Sequence, residues 1–277
     1  MLSHEFMRSA LLAGSFVALA CGTCGWFVVL RGQVFAGDAL SHVAFPGALA
    51  AAAAGVDARV GLFVATVAVG VGIALLGRGT LVARGGGAGG STPADDTAIG
   101  IVFTFVLGLG LFFLTLFSIG SAGGAGIQAA HTLFGSIFGL GAGEARVAAL
   151  VGLAIVILVL VIARPLLFAT LAPDVAAARG VPTRLLGVGF LALVGLVAAE
   201  ATQAVGALLL LGLLAAPAAA AHRLTGRPFA GVLLAGLLAV VAMVVGLILA
   251  YALPWLPPST AVIAIALTIY GASALAR

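Results

Sequence analysis

The chain has 277 residues, of which 64% are hydrophobic and only 7% are charged. A soluble globular domain carries about 25% charged residues, so this composition excludes an ordinary soluble protein and indicates an integral membrane protein. The net charge of +4 comes without a single lysine, from arginines at the ends of apolar runs. Such charges set membrane topology, so they do not indicate a nucleic-acid partner.

Apolar runs of about 20 residues recur along the chain, which predicts helical spans rather than barrel strands. We expect an all-α fold, a polytopic integral membrane protein with about 8–9 transmembrane helices in a single transmembrane domain over residues 1–277. The predicted spans are 8–30, 37–56, 61–77, 98–118, 145–163, 185–201, 204–221, 229–250 and 259–276. With the N-terminus outside, nine arginines become cytoplasmic and three external, as the positive-inside rule favours.

The second predicted span contains an acid and an imidazole. Asp38 and His42 are four residues apart, so a helix places them on one face. A carboxylate in the membrane costs about 2.5–3.5 kcal/mol and therefore usually faces a pathway or a partner. Carboxylate and imidazole together are ligands for divalent transition metals. The alternative is a structural Asp–His contact at a helix kink.

A proline follows this pair within one turn. Pro46 has no N–H to donate to the carbonyl of His42, which adds a third oxygen at the same depth. Helices with freed carbonyls are a recurrent way to build cation sites in transporters. One chain supplies only two side-chain ligands, so we expect two copies facing each other across a twofold axis to complete the site.

Two segments between the predicted spans have different predicted structures. The glycine-rich run 85–96 has the composition of a flexible linker, and without any lysine it cannot form a phosphate-binding P-loop. The segment 172–180 has Pro173 and Asp174 at a helix start and Gly180 at a stop, which predicts a short cytoplasmic helix. This helix is either a plain connector or a docking helix for a cytoplasmic partner.

Glu200, His131 and Pro46 are candidates for residues of the pathway or a gate. Glu200 lies near the outer end of its predicted span, where it either relays cations or reaches interfacial water. His131 belongs to an outer segment that is either re-entrant at a translocation mouth or packed on the outer surface. Cys21 and Cys24 are interpreted as small buried apolar residues.

Several segments in chain order resemble the permeases of manganese/zinc-type ABC importers. They are Val-Leu-Arg-Gly at 29–32, Gly-Asp-Ala-Leu-Ser-His at 37–42 with Pro-Gly at 46–47, Thr-Leu-Phe-Gly-Ser at 132–136, Ala-Pro-Asp-Val-Ala at 172–176 with Gly180, and Val-Gly-Ala-Leu-Leu at 205–209 with Pro-Ala-Ala at 217–219. Ala172 and Asp174 replace acids that are usual in the family, and the linker 85–96 departs from its compact members.

The resemblance implies a homodimeric transmembrane subunit in a prokaryotic plasma membrane, surrounded by lipid. Two cytoplasmic ABC ATPase subunits would dock on the coupling helices, and an extracytoplasmic metal-binding protein would deliver the ion. Asp38 and His42 match the family's intramembrane cation pair, and the coupling residues correspond to Pro173, Asp174, Val175, Ala176 and Gly180. The chain itself would be no enzyme and would hold no permanent cofactor, while Mn(II) or Zn(II) passes through it.

Other functions remain open from the sequence. One is a stand-alone, proton-coupled secondary metal transporter, although the docking segment 172–180 favours the ABC interpretation. Another is an ABC permease for Fe(II) or an iron chelate, although a wide chelate path would not need a tight Asp–His pair. An intramembrane metalloenzyme would need a motif such as H-E-x-x-H, which the sequence lacks.

Overall fold

The computed structural model describes residues 5–76, 93–120, 137–204, 206–207, 210–253 and 255–275. Within these ranges the regular structure is helical, with one short 3-10 helix at Ile137–Gly139. The α-helices are α1 (Glu5–Leu30), α2 (Val34–Ala53), α3 (Ala58–Leu76), α4 (Pro93–Gly120), α5 (Ala142–Leu171), α6 (Pro173–Ala178), α7 (Thr183–Ala204), α8 (Leu210–Leu224), α9 (Pro228–Ala252) and α10 (Pro258–Leu275).

Eight of these helices in the described ranges are long and apolar enough to cross a membrane, which confirms a polytopic all-α membrane protein. The run 204–221, predicted as a further span, is instead the 15-residue helix α8. A helix of that length extends about 22 Å, less than the roughly 30 Å hydrocarbon core. Helix α7 ends at Ala204 because the chain turns at Gly206, whose φ of 98° is a left-handed conformation that favours glycine.

The predicted linker 85–96 overlaps a helix at its end. Helix α4 begins at Pro93, so the last four residues of the predicted linker form its first turn. Proline suits this position because the first N–H groups of a helix have no partner within the helix. The remainder of the linker, and the part of the outer segment that contains His131, lie outside the described residues.

The chain divides into two compact units, named here after their membrane acids. The Asp38 unit comprises Leu30–Ala130 and Leu158–Ala199, and the Glu200 unit comprises Met1–Val29, His131–Ile157 and Glu200–Arg277. The single transmembrane domain over residues 1–277 stays a prediction.

Helices α2 and α3 approach each other closely in the Asp38 unit. A methyl group added at Gly47 would lie 2.8 Å from the carbonyl oxygen of Gly61, and one added at Gly61 would meet the Gly47 carbonyl. Small residues allow membrane helices to bring their backbones together in this way. The hairpin that carries Asp38 and His42 is therefore held by backbone contact, with Ala44 and Leu62 buried beside it.

Small residues also bring helices together in the Glu200 unit. Ala216, Ala242 and Ala266, from α8, α9 and α10, form one buried cluster. A side chain at Gly246 of α9 would lie 2.5 Å from the Cα of Val262 in α10. The short helix α8 is thus packed into this unit even though its length falls short of a full span.

Candidate metal site

Helix α2 presents Asp38 and His42 one turn apart. The Nε2 of His42 lies 4.0 Å from the Oδ1 of Asp38, and their side chains are 20% and 32% exposed respectively in the single chain. This separation exceeds a hydrogen bond. Two donors bound to one tetrahedral cation at about 2.1 Å lie about 3.4 Å apart, so the pair would need to close by only about half an ångström.

The His42 ring packs against an aromatic side chain from α4. The ring centroids of His42 and Phe103 are 5.4 Å apart, and the ring planes are inclined by 58°. Such contact restricts the rotation of the imidazole about its side-chain bonds. The ligand nitrogen therefore faces Asp38 from a supported position.

The backbone beside Asp38 is also tied down. The hydroxyl of Ser41 donates a 2.6 Å hydrogen bond to the carbonyl oxygen of Asp38. Ser41 is completely buried and Asp38 is partly exposed, so this bond is partly shielded from solvent. It engages a carbonyl on the turn that separates the two candidate ligands.

Pro46 lies inside α2, and the helix continues through it to Ala53. Its ring is the contact point for α4, because a Cβ added at Gly110 would lie only 2.9 Å from the Cγ of Pro46. The missing N–H at Pro46 leaves the His42 carbonyl without its usual helical donor. Pro46 therefore packs against α4 and leaves a free carbonyl oxygen one turn below it.

Groups of three or more His, Cys, Asp or Glu residues that would hold a metal are absent from the described part of the chain. Asp38 and His42 are thus two candidate ligands rather than a closed coordination shell. A Zn(II) site takes four ligands and Mn(II) takes more oxygen donors, so the remaining positions need water, backbone oxygen or another chain.

Glu200 has different surroundings. It lies in the last turns of α7, just before the turn at Gly206, and its side chain is 2% exposed. It belongs to the Glu200 unit, whereas Asp38, His42 and Pro46 belong to the Asp38 unit. The third predicted pathway residue, His131, lies outside the described residues.

The predicted short helix is present as α6, and Pro173 is its first residue. Asp174 and Val175 are exposed, with Val175 at 51%, whereas Ala176 is completely buried. Gly180 ends the segment at a φ of 78°, and its N–H donates to the Ala177 carbonyl at 3.0 Å. A left-handed glycine is the usual way to end such a helix. The segment therefore has one anchoring residue and an exposed face.

Several residues at the site were not found by sequence reasoning. Phe103 and Gly110 share one face of α4, but an apolar run contains many aromatic and glycine residues with the same appearance. Ser41 lies within the quoted motif, yet its hydrogen bond to its own turn has no distinct sequence signal. Only the contacts seen in the structure single these residues out.

Relatives of this chain carry metal-transport names. The manganese transport system membrane protein MntC of Halalkalibacterium halodurans is 29% identical over 247 residues, covering 89% of this chain and 79% of that protein. A probable iron transport system membrane protein of Haemophilus influenzae is 28% identical over 224 residues, covering 81% of this chain and 76% of that protein.

A solved structure shares the fold along nearly the whole length. PsaBC from Streptococcus pneumoniae in complex with Fab matches with a TM-score of 0.81 and 26% identity, covering 98% of this chain and 91% of that chain. The sequence pattern of the ABC 3 transport family matches residues 3–277, and this chain therefore belongs to that family.

Proposed function

We propose that this chain is the transmembrane subunit of an importer that moves Mn(II) or Zn(II) into the cytoplasm, powered by ATP hydrolysis in separate subunits. The observation that carries the proposal is the pair formed by Asp38 and His42, 4.0 Å apart on a membrane helix. Oxygen and nitrogen donors at this spacing suit a divalent transition metal. Membership of an ABC transport family and the manganese name of a relative agree with it.

The partial exposure of the pair supports a homodimer. Side chains that are 20% and 32% exposed remain accessible to ligands from outside the chain. Two copies related by a twofold axis would supply two carboxylates and two imidazoles, which is a full set for a small cation. Glu200 and His131 are proposed as pathway or gate residues, acting on the ion before or after it meets this pair.

The exposed face of α6 supports docking of ATPase subunits. Val175 is an apolar side chain at 51% exposure on a helix whose Ala176 is buried. We propose that this face, formed by Pro173, Asp174, Val175 and Gly180, contacts an ATPase subunit. Two ATPase subunits would bind to one dimer. An extracytoplasmic metal-binding protein delivers the ion. The bacterial relatives support a location in a prokaryotic plasma membrane.

Fe(II) is a second candidate substrate, because one relative carries an iron-transport name. Proteoliposomes containing this chain, its ATPase and its binding protein would distinguish the metals. We expect ATP-dependent uptake of radiolabelled Mn(II) or Zn(II), and competition between ions identifies the preferred one. Uptake without ATP would contradict the proposal and favour a secondary transporter. Uptake of Fe(II) alone would identify Fe(II), rather than Mn(II) or Zn(II), as the substrate.

Docking on α6 has its own test. Val175→Glu places a charge on the exposed face and leaves the buried Ala176 in place, so the fold is expected to persist. We expect loss of ATP-driven uptake while metal binding is retained. Val56 in the α2–α3 turn is also 51% exposed, so Val56→Glu is a matched control that should transport normally. Normal uptake by Val175→Glu would contradict docking through this face.

A further inference from the structure

Arg31, in the turn between α1 and α2, connects three parts of the Asp38 unit. Its Nη1 donates a 2.9 Å hydrogen bond to the hydroxyl of Thr170, near the end of α5. Its Nε donates to the Oε1 of Gln33 at 3.3 Å. Its Cζ lies 5.5 Å from the ring centroid of Phe190 in α7. One guanidinium therefore joins α2, α5 and α7.

The three side chains that contact Arg31 are buried, while Arg31 itself is partly exposed. Thr170 is 4% exposed, Gln33 is 3% exposed and Phe190 is completely buried. Burial lowers the pKa of Arg31 to about 10, which leaves the guanidinium charged at neutral pH. A buried charge that lost its partners would be costly, because the loss of solvation would no longer be compensated. Arg31 and its partners are therefore expected to move together.

One end of this connection lies beside the predicted coupling helix. Thr170 is in the last turn of α5, which ends at Leu171, and α6 begins at Pro173 after a single intervening residue. The Thr170 hydroxyl also donates to the Leu166 carbonyl at 2.7 Å, which ties it to its own helix. A displacement of α6 therefore reaches Thr170 through a very short segment of chain.

The other end lies beside the metal pair. Gln33 immediately precedes α2, and its carbonyl accepts a 3.1 Å hydrogen bond from the N–H of Gly37, the residue before Asp38. The planar guanidinium has five N–H donors in a fixed arrangement, so it fixes the orientation of its hydrogen-bond partners as well as their distance. The first turn of α2 is thus connected through Arg31 to the end of α5.

We propose that Arg31 is a positioning residue that transmits movement of α6 to the first turn of α2, and so to Asp38 and His42. This inference rests on the proposed function, because it assigns the transmission of ATPase movement to one side chain. The connection runs from α6 to Thr170 along the short segment of chain between them, and then by hydrogen bonds through Arg31 to Gln33. Such contacts propagate discrete shifts because packed interiors do not deform continuously.

The test compares metal transported per ATP hydrolysed in the reconstituted complex. Arg31→Lys keeps the charge but removes the planar donors. We expect this ratio to fall roughly 10-fold, within the usual range of coupling between sites, while basal hydrolysis stays within about 2-fold. Thr170→Val should lower the ratio less, and Thr170→Ser should restore it, because only serine retains the hydroxyl.

A double variant and a matched control separate transmission from folding. If Arg31 and Thr170 act through one bond, Arg31→Lys with Thr170→Val should be no worse than Arg31→Lys alone. Arg223 makes similar contacts in the Glu200 unit, a 3.2 Å hydrogen bond to the Tyr270 hydroxyl and a position 4.9 Å from the centroid of that ring. Arg223→Lys is expected to leave the ratio unchanged.

The outcomes are distinct. A merely structural role for Arg31 would reduce the amount of assembled complex and leave the transport-to-hydrolysis ratio unaltered, which would overturn the inference. If Arg31→Lys fails to assemble, equal ratios for Thr170→Val and Thr170→Ser would overturn it. A wild-type complex that hydrolyses ATP but moves no metal would contradict the proposed function itself, whatever the variants do.

Discussion

Asp38 and Glu200 are both acids inside membrane-spanning helices, and the structure gives them different surroundings. Asp38 is 32% exposed and has an imidazole one turn away. Glu200 is 2% exposed and lies before the turn that separates α7 from α8. A partly exposed carboxylate beside a histidine can exchange a ligand with its surroundings, whereas a buried one requires the protein to move first.

The comparison shows why an acid within an apolar run is an incomplete guide to function. The cost of placing a carboxylate in a membrane indicates only that the carboxylate has a function, and does not identify that function. Its neighbours indicate what that function is: the carboxylate of Asp38 faces His42, whose ring packs on Phe103, and the Asp38 carbonyl accepts a hydrogen bond from Ser41.

Asp38→Asn should reduce metal uptake by roughly 100-fold or more. Even outer residues that orient metal ligands cost 10- to 100-fold when changed, so a direct ligand should cost at least as much. His42→Gln should behave similarly. Glu200→Gln, which keeps the size of the buried side chain, should slow uptake only several-fold and leave equilibrium metal binding unchanged.

Tracer uptake and equilibrium metal binding on the same purified complexes would check this. Asp57 lies in the exposed α2–α3 turn, where its Oδ1 accepts a 2.7 Å hydrogen bond from the N–H of Arg59. Asp57→Asn is therefore a control for loss of charge alone. If Glu200→Gln abolished metal binding as Asp38→Asn does, the two acids would serve one site and the contrast would be wrong.

Gly110→Ala should weaken the Asp38 unit by about 1–3 kcal/mol, the usual cost of overpacking a close contact. The new methyl group would lie 2.9 Å from the Cγ of Pro46 and push α4, with Phe103, away from α2. Uptake should fall several-fold as His42 loses its aromatic support. Thermal unfolding and uptake, measured together, would test both effects.

Gly108→Ala is the matched control on the same helix, because nothing lies within 4 Å of a Cβ at that position. It should be neutral or stabilising by up to about 1 kcal/mol, since alanine restricts the unfolded chain. Equal effects from the two substitutions would show that α4 does not support the metal pair.

Thr202→Val should raise stability by about 1 kcal/mol, the smallest effect expected here. The Thr202 side chain is completely buried, and its hydroxyl has no hydrogen-bond partner among the described residues. Replacing a buried unsatisfied hydroxyl with a methyl group of similar shape removes a cost of about 1–3 kcal/mol. Thermal unfolding in detergent would measure the change, with uptake unaltered.

Thr23→Val in the same unit provides the opposite case, because the Thr23 hydroxyl donates to the Leu19 carbonyl at 2.8 Å. It should be neutral or slightly destabilising. Loss of uptake in Thr202→Val would show that this hydroxyl binds water or an ion during transport. The Glu200 unit would then contain a polar site of its own.

The spans and the shared helix face of Asp38 and His42 were predictable from sequence because both depend on local periodicity. Eight long apolar helices follow from run length, and a four-residue spacing places Asp38 and His42 on one face. The break before α8 could not be predicted because the run 204–221 is apolar throughout. A glycine in such a run does not by itself indicate a left-handed turn. One backbone angle at Gly206 shortens the helix.

Contacts between distant segments could not be predicted. Arg31 lies in the Val-Leu-Arg-Gly segment and Thr170 near a helix end, but no sequence pattern indicates that the two side chains meet, 139 positions apart. The motif around residues 172–180 predicted α6, because proline at a helix start and glycine at its end act locally. What lies between α6 and α2 is set by tertiary packing alone.

The contact between Gly47 and Gly61 limits the substitutions that these two positions can accept. In most packed pairs, enlargement of one side chain can be offset by shrinkage of its neighbour. Here neither glycine has a side chain that could become smaller, and a side chain added at either one would meet the backbone carbonyl of the other. Libraries that randomise both positions together should therefore recover almost only the parental pair, whereas Gly72 and Gly100, which face open space, should accept many residues.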